Sequence, residues 1–98
     1  MNIDEFKQLI EKEETNLSEL PPAVQALWYD KTGNWDKAHQ IVQDANDKDS
    51  AWVHAYLHRK EGDLSNAHYW YRRSEKPEFN GELSQEWEFI ARDLLVKL

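Results

Sequence analysis

Three side chains that can bind metal stand at helical spacing in the second half of the chain. His54, His58 and Glu61 occupy positions i, i+4 and i+7, which places two imidazoles and a carboxylate on one face of an α-helix. Imidazole nitrogens and carboxylate oxygens are zinc ligands. His39 and His68 offer further ligands from neighbouring segments. A metal or small-molecule site on the His54, His58 and Glu61 face is therefore one hypothesis for function.

The same helix face carries Ala51, Ala55 and Gly62, which indicate close contact with a neighbouring helix. Contact of this kind accounts for His54 and His58 as packing residues whose ring nitrogens meet nearby carbonyl or carboxylate oxygens. We prefer this second interpretation. It predicts neither a bound metal nor a cofactor.

Catalytic patterns are missing from the sequence. The chain has no cysteine, no glycine-rich phosphate loop and no nucleophile elbow, and these are the common signatures of nucleophilic and phosphoryl-transfer sites. None of its serines has a recognisable histidine partner in sequence. We therefore expect a protein that is not an enzyme.

Composition and charge narrow the classes of partner. The 98 residues suit one small domain, and 12 basic against 19 acidic side chains give a net charge of −7. An acidic chain lacks the basic face that binds a phosphate backbone, so nucleic acid is not expected. No apolar run approaches the roughly 20 residues that span a bilayer, so no membrane is expected. Absent cysteine fits a reducing compartment, and we predict a cytoplasmic protein.

The middle of the chain repeats itself with a period of 29 residues. Six residues recur at this spacing: Val24, Ala26, Lys31, Gly33, Ala38 and His39 return as Val53, Ala55, Lys60, Gly62, Ala67 and His68. Repetition at a fixed period of this length is the signature of a helical repeat protein.

Apolar spacing and turn residues predict about six helices and no sheet. Apolar residues at helical spacing predict helices over residues 2–14, from Pro21-Pro22 to about Lys31, 35–45, 50–61, 64–74 and 84–97. Gly33 supplies a left-handed end to one helix and Asn34 caps the next. No window alternates apolar and polar residues as a strand does. The fold class is therefore predicted to be all-α.

The sequence also predicts which residues limit the buried faces of the last two helices and which residue caps the last one. Leu64 is expected to open the buried stripe of the fifth helix, and Leu98 to close that of the last helix. Ser84 is expected to cap the last helix.

The two turns share one pattern, in which glycine is followed by a large apolar residue and then alanine. It occurs at residues 33–38 and again at 62–67. With this pattern the chain resembles tetratricopeptide (TPR) and Sel1-like repeats over about residues 20–77. The resemblance implies two helix-turn-helix repeats, at about 20–48 and 49–77, within a single domain of residues 1–98. Helices at about 2–14 and 84–97 would cap the ends, as terminal units do in solenoids.

The resemblance also implies a function and a site. Proteins of this family bind other proteins, and the first helix of each repeat lines a concave groove. Carried over residue by residue, the groove and its rim comprise Leu27, Asp30, Trp52, Tyr56, Arg59 and Lys60. An aromatic anchor beside a cationic rim is the composition of a binding hot spot. We therefore expect an unidentified protein or peptide partner that carries an acidic group.

Two alternatives stay open beside the metal hypothesis. Exposed aromatic side chains would instead serve self-association, which would make the protein a homodimer or a structural subunit. The N-terminal helix would fill the groove with Phe6 and Ile10, and this arrangement would leave no peptide site there.

Overall fold

The computed structural model describes residues 1–13 and 16–98, and these residues form six α-helices and one 3-10 turn without any strand. The helices are α1 (Ile3–Lys12), α2 (Pro22–Lys31), α3 (Trp35–Gln43), α4 (Lys48–Glu61), α5 (Leu64–Ser74) and α6 (Leu83–Leu95). The 3-10 turn spans Leu17–Glu19 and precedes α2. The predicted all-α class with about six helices is confirmed.

The turn residues act at the two predicted turns as their chemistry requires. Gly33 and Gly62 adopt positive φ angles of +88° and +89°, a conformation that glycine reaches without a Cβ penalty. The side chain of Asn34 accepts a hydrogen bond from the backbone N–H of Lys37 at the start of α3. The side chain of Asp63 accepts one from the backbone N–H of Asn66 at the start of α5. Each turn therefore ends one helix and begins the next within a few residues.

Several details of the sequence prediction differ from the structure. Helix α6 begins at Leu83, and its N-cap is Glu82, whose backbone N–H donates to the side-chain oxygen of Gln85 at 3.0 Å. Ser84 lies inside the helix. Leu64 is 57% exposed and Leu98 is 49% exposed. Leu98 lies three residues beyond the end of α6. The end of the predicted helix 2–14 falls on Glu14, outside the described residues.

The four middle helices pack in chain order around α4. Helix α2 contacts α3, α3 contacts α4, and α4 contacts α5. Helix α4 also contacts α2 and α6, so it has neighbours on several sides. Nine consecutive residues of α4, from Ser50 to His58, are buried. A helix buried on all sides in this way organises the core rather than covering it.

Helices α6 and α1 form the outer layers on one side of this core. Helix α6 contacts both α2 and α4, and α1 packs on α6. The ring of Phe6 stacks on Trp87 with centroids 5.9 Å apart. Lys7 adds an ion pair with Glu88 of α6. The two terminal helices therefore form a consecutive pair of layers on one face of α2 and α4.

None of the helices in the described ranges is long and apolar enough to cross a membrane.

The alanines of the glycine-turn pattern provide a test of helix packing. Ala38 is fully buried and Ala67 is 2% exposed. Replacing either with leucine should force extra methylene groups into a closed contact and lower the free energy of unfolding by about 1–3 kcal/mol. Asp36→Ala, on the exposed face of α3, should change it by less than about 0.5 kcal/mol. Urea denaturation of the three variants measures the difference, and equal losses at exposed and buried positions would contradict this helix register.

Candidate functional site

The surface that the sequence predicted as a groove is covered in the structure by α6. Leu27, Asp30, Trp52 and Tyr56 are each no more than 4% exposed. Trp87 of α6 donates its indole N–H to the backbone carbonyl of Leu27 at 3.0 Å. A peptide therefore has no access to Leu27, Asp30 and Tyr56 while α6 is in place.

Asp30 is held in this buried region by two donors from α4. The hydroxyl of Tyr56 donates to one carboxylate oxygen of Asp30 at 2.6 Å, and the ammonium group of Lys60 donates to the other at 2.9 Å. Burial, followed by the hydrogen bond to Asp30, raises the pKa of Tyr56 well above its ordinary value of 10.0. The Lys60 side chain is 40% exposed, so Lys60 is the one member of the predicted site that reaches solvent substantially.

Arg59, the other predicted cation, is bound by α6. Its guanidinium donates to Glu86 at 2.8 Å and also to the carbonyl of Gly81. Glu86 is fully buried and accepts a second hydrogen bond from the hydroxyl of Tyr71. Burial raises the pKa of Glu86, and the hydrogen bonds from Tyr71 and Arg59 oppose that rise. The predicted cationic rim is therefore already paired with carboxylates of the same chain.

The helix that covers the groove is α6 and not α1. Phe6 and Ile10 of α1 are buried as expected, but Phe6 reaches Trp87 on α6. The partners of Arg59 and Leu27 come from α6 or from the loop before it. The alternative in which a helix of the same chain fills the groove therefore applies, but the helix is α6 and not the N-terminal helix that the sequence suggested.

A second group of functional side chains lies between α3 and α4. His39, His54 and His58 each present a ring nitrogen within 4.8 Å of the other two; we call these three residues the histidine cluster. The Nε2 atoms of His39 and His54 are 3.1 Å apart. The spacing of His54 and His58 on α4 predicted part of this cluster, and His39 is the further ligand that the sequence offered from the paired helix.

Glu61, the carboxylate ligand in the metal hypothesis, does not lie among the three imidazoles. It bonds Nδ1 of His58 at 2.6 Å and lies outside the three imidazoles. His68, which repeats His39 in sequence, pairs with Glu78 at 2.7 Å on the exposed side of α5. The 29-residue repeat therefore places only one of its two equivalent histidines in the cluster.

Burial and the charges of neighbouring histidines lower the pKa of two members of the cluster, His54 and His39. Burial, and then the charges of His39 and His58, lower the pKa of His54 from 6.5 to about 3. Burial and His58 also lower the pKa of His39, against the opposing effect of Glu61 and Asp36. The folded protein therefore resists protonation of His39 and His54 at pH values where an isolated imidazole titrates.

An aromatic pocket of about 300 Å³ lies between α4, the loop after α5, and α6. Phe89 contacts Trp52 and Phe79, with ring centroids 6.0 Å and 5.9 Å apart. Phe89 itself is 57% exposed. We call this surface the Phe89 pocket, and its lining residues are Trp52, Lys76, Pro77, Glu78, Phe79, Phe89 and Asp93.

Sequence reasoning missed Phe89 and Glu86, although α6 carries a signal for each. Phe89 falls out of phase with the buried stripe of Trp87, Ile90 and Leu94, and an aromatic residue off the stripe is expected at the surface. Glu86 is in phase with Ile90 and Leu94 at spacings of four residues, so it is expected to be buried despite its charge. Phase along a helix therefore identifies both residues.

No family model, curated protein or solved structure matches this chain. The Phe89 pocket and the histidine cluster are the two candidate sites, and their own residues determine their chemistry. The first is an apolar concavity at the surface, and the second is a convergence of three nitrogen ligands.

Proposed function

We propose that this protein is a non-enzymatic interaction module, and that it binds a partner peptide or protein at the Phe89 pocket. The proposal keeps the function that the repeat resemblance implies and moves the site away from the covered groove. We also propose that the chain is related to tetratricopeptide or Sel1-like repeat proteins. A cytoplasmic location is part of the proposal, and the absence of cysteine supports it.

The exposure of Phe89 is the observation that carries the proposal. A phenylalanine left 57% exposed forgoes much of the roughly 1.5–3 kcal/mol that its burial would contribute. Here it adjoins Trp52 and Phe79 in one continuous apolar concavity. Exposed apolar surface of this kind, rimmed by polar residues, marks interaction sites in proteins.

The size and rim of the pocket define the expected ligand. A volume of about 300 Å³ lies at the small end of ligand pockets, so it suits one large side chain of a partner. The ammonium of Lys76 lies 4.7 Å from the centre of the Trp52 ring and 4.0 Å from Asp93. Both signs of charge are therefore present at the rim. We infer that an aromatic or large aliphatic side chain is the anchor of the partner.

Selection from a displayed peptide library tests this proposal. Peptides selected on the wild-type protein should share an aromatic or large aliphatic residue. Phe89→Ala should weaken their binding about thirty-fold or more, which corresponds to the roughly 2 kcal/mol expected at a hot spot. Isothermal titration of individual peptides measures the loss. The melting temperature of the variant should stay close to that of the wild type, because Phe89 is mostly exposed.

Val96 provides a matched control, since it is an apolar residue of the same helical region with 82% exposure and lies outside the Phe89 pocket. Val96→Ala should leave peptide affinity unchanged. Peptides that bind wild type and Phe89→Ala equally would overturn the site. A Phe89-dependent dimer in light scattering, without peptide binding, would replace the peptide by a second copy of the chain.

A further inference from the structure

The geometry of the histidine cluster is close to that of a metal site. Two imidazole nitrogens bound to one tetrahedral zinc ion at about 2.0–2.1 Å lie about 3.3–3.4 Å apart. The Nε2 atoms of His39 and His54 are 3.1 Å apart. A ring nitrogen of His58 lies within 4.8 Å of both. The rings of His54 and His58 are stacked with centroids 4.8 Å apart and an interplanar angle of 25°, so the ring of His58 has to rotate to direct its nitrogen at the point between His39 and His54.

Hydrogen bonding within the described residues leaves His54 incompletely satisfied. His54 is 2% exposed, and its Nδ1 atom has no partner among these residues. Its Nε2 atom meets only another imidazole, that of His39. Buried polar atoms are nearly always hydrogen-bonded, so an unpartnered one calls for an explanation. Packing alone does not explain why three polar rings replace apolar side chains here.

Glu61 orients His58 in the way that carboxylates orient metal-bound histidines. Its Oε1 atom bonds Nδ1 of His58 at 2.6 Å, which leaves Nε2 as the nitrogen for other contacts. Metal-binding histidines almost always donate their second ring N–H to a carboxylate, a carbonyl or water. Glu61, which the sequence suggested as a ligand, therefore has the position of an outer partner.

Two tryptophans fix the other rings. Trp35 stacks on His39 with centroids 4.9 Å apart and an interplanar angle of 7°. Trp70 stacks on His54 with centroids 3.9 Å apart and an angle of 20°. The indole N–H of Trp35 is itself anchored by the carbonyl of Leu57 at 2.9 Å. Rings that are held before binding lose little freedom on coordination.

We propose that His39, His54 and His58 bind a divalent transition-metal ion of the zinc type through three imidazoles. Neutral imidazole favours zinc, copper and nickel, whereas magnesium and calcium prefer oxygen ligands. His39 is partly exposed, so an ion reaches the cluster from that side. Three protein ligands leave a fourth coordination position for water. The site is independent of the Phe89 pocket.

Titration of tag-free protein with Zn²⁺ and Co²⁺, after dialysis against a chelator, tests the site. Calorimetry should give one Zn²⁺ per chain, and the melting temperature should rise with the logarithm of free zinc. Bound Co²⁺ should show the visible absorption of a tetrahedral nitrogen site. Mg²⁺ should produce none of these effects.

Three variants separate a built site from adventitious binding. Loss of an outer partner lowers metal affinity by roughly 10- to 100-fold, so Glu61→Gln should lower the affinity for Zn²⁺ by an amount in this range. His39→Gln removes a direct ligand and should lower the affinity by more. His68→Gln, at the repeat-equivalent but exposed position, should bind as wild type does.

His39 is the variant of choice because its partial exposure keeps the fold intact when the ring is lost. Circular dichroism of metal-free His39→Gln should match that of the wild type. Absence of stoichiometric zinc binding by the wild type would overturn the proposal. Equal losses in His39→Gln and His68→Gln would also overturn it, because they would indicate non-specific binding to surface histidines.

Discussion

Removal of residues 83–98 should leave a chain that does not unfold cooperatively. Helix α6 contributes four large apolar side chains to the core, and their exposures are 3% or less: Trp87, Ile90, Leu94 and Leu95. Each contributes about 1.5–3 kcal/mol when buried, so their loss approaches the 5–15 kcal/mol that stabilises a whole domain. The deletion also exposes Leu27 and Tyr56 of the covered surface.

Thermal unfolding followed by circular dichroism, with a dye that binds exposed apolar surface, measures this effect. The fragment 1–82 should show a broad, weak transition and strong dye fluorescence. A fragment that ends at Leu95 is the matched control. It lacks only the exposed Val96 and Leu98 and the surface ion pair between Lys97 and Asp49, and such pairs contribute about 0–1 kcal/mol. A soluble 1–82 fragment with a sharp transition would show that α6 is an appendage.

Arg59→Ala should destabilise the protein by about 3–5 kcal/mol, because it leaves the buried carboxylate of Glu86 without its cation. Glu86 is fully buried, and Arg59 supplies its charged donor at 2.8 Å. Part of the loss comes from the backbone carbonyl of Gly81, which also accepts from Arg59. Denaturation in urea at pH 7 measures the change in the free energy of unfolding.

A surface pair of the same chemistry provides the control. Arg92 and Glu88 are paired at 3.3 Å across one turn of α6, with the Arg92 side chain 59% exposed. Arg92→Ala should cost no more than about 1 kcal/mol. The double variant Arg59→Met with Glu86→Leu should recover only part of the loss. Apolar replacements of a buried ion pair are often neutral or stabilising, but the hydroxyl of Tyr71 and the carbonyl of Gly81 lose their partners. Equal effects of Arg59→Ala and Arg92→Ala would contradict the buried network.

The local architecture could be predicted from sequence because short-range chemistry determines it. Gly33 and Gly62 required positive φ angles, and Asn34 had a side chain suited to capping the helix that follows. The apolar stripes identified most buried faces for the same reason. These signals act within one helical turn, so they do not depend on where the rest of the chain lies.

The candidate sites could be predicted less completely because they depend on which faces meet. The stripe of α6 shows that Trp87 and Ile90 are buried, but it does not name the surface that buries them. The family resemblance left the concave groove open, whereas Trp87 bonds Leu27 within it. Similarly, His54 and His58 were visible as a pair, but the choice of His39 over His68 as their neighbour depends on α3 packing against α4.

The position of α6 over the groove has a consequence for how the protein is synthesised. The chain emerges from the ribosome from its N-terminus, and the roughly twenty residues after α5 take about one to four seconds to add at about 5–20 residues per second. During that interval α2 and α4 have no cover for Leu27, Trp52 and Tyr56. The apolar surface on α2 and α4 is therefore made before its cover, and this part of the core closes only after α6 has been added and has left the ribosome; until then the incomplete fold is prone to aggregation.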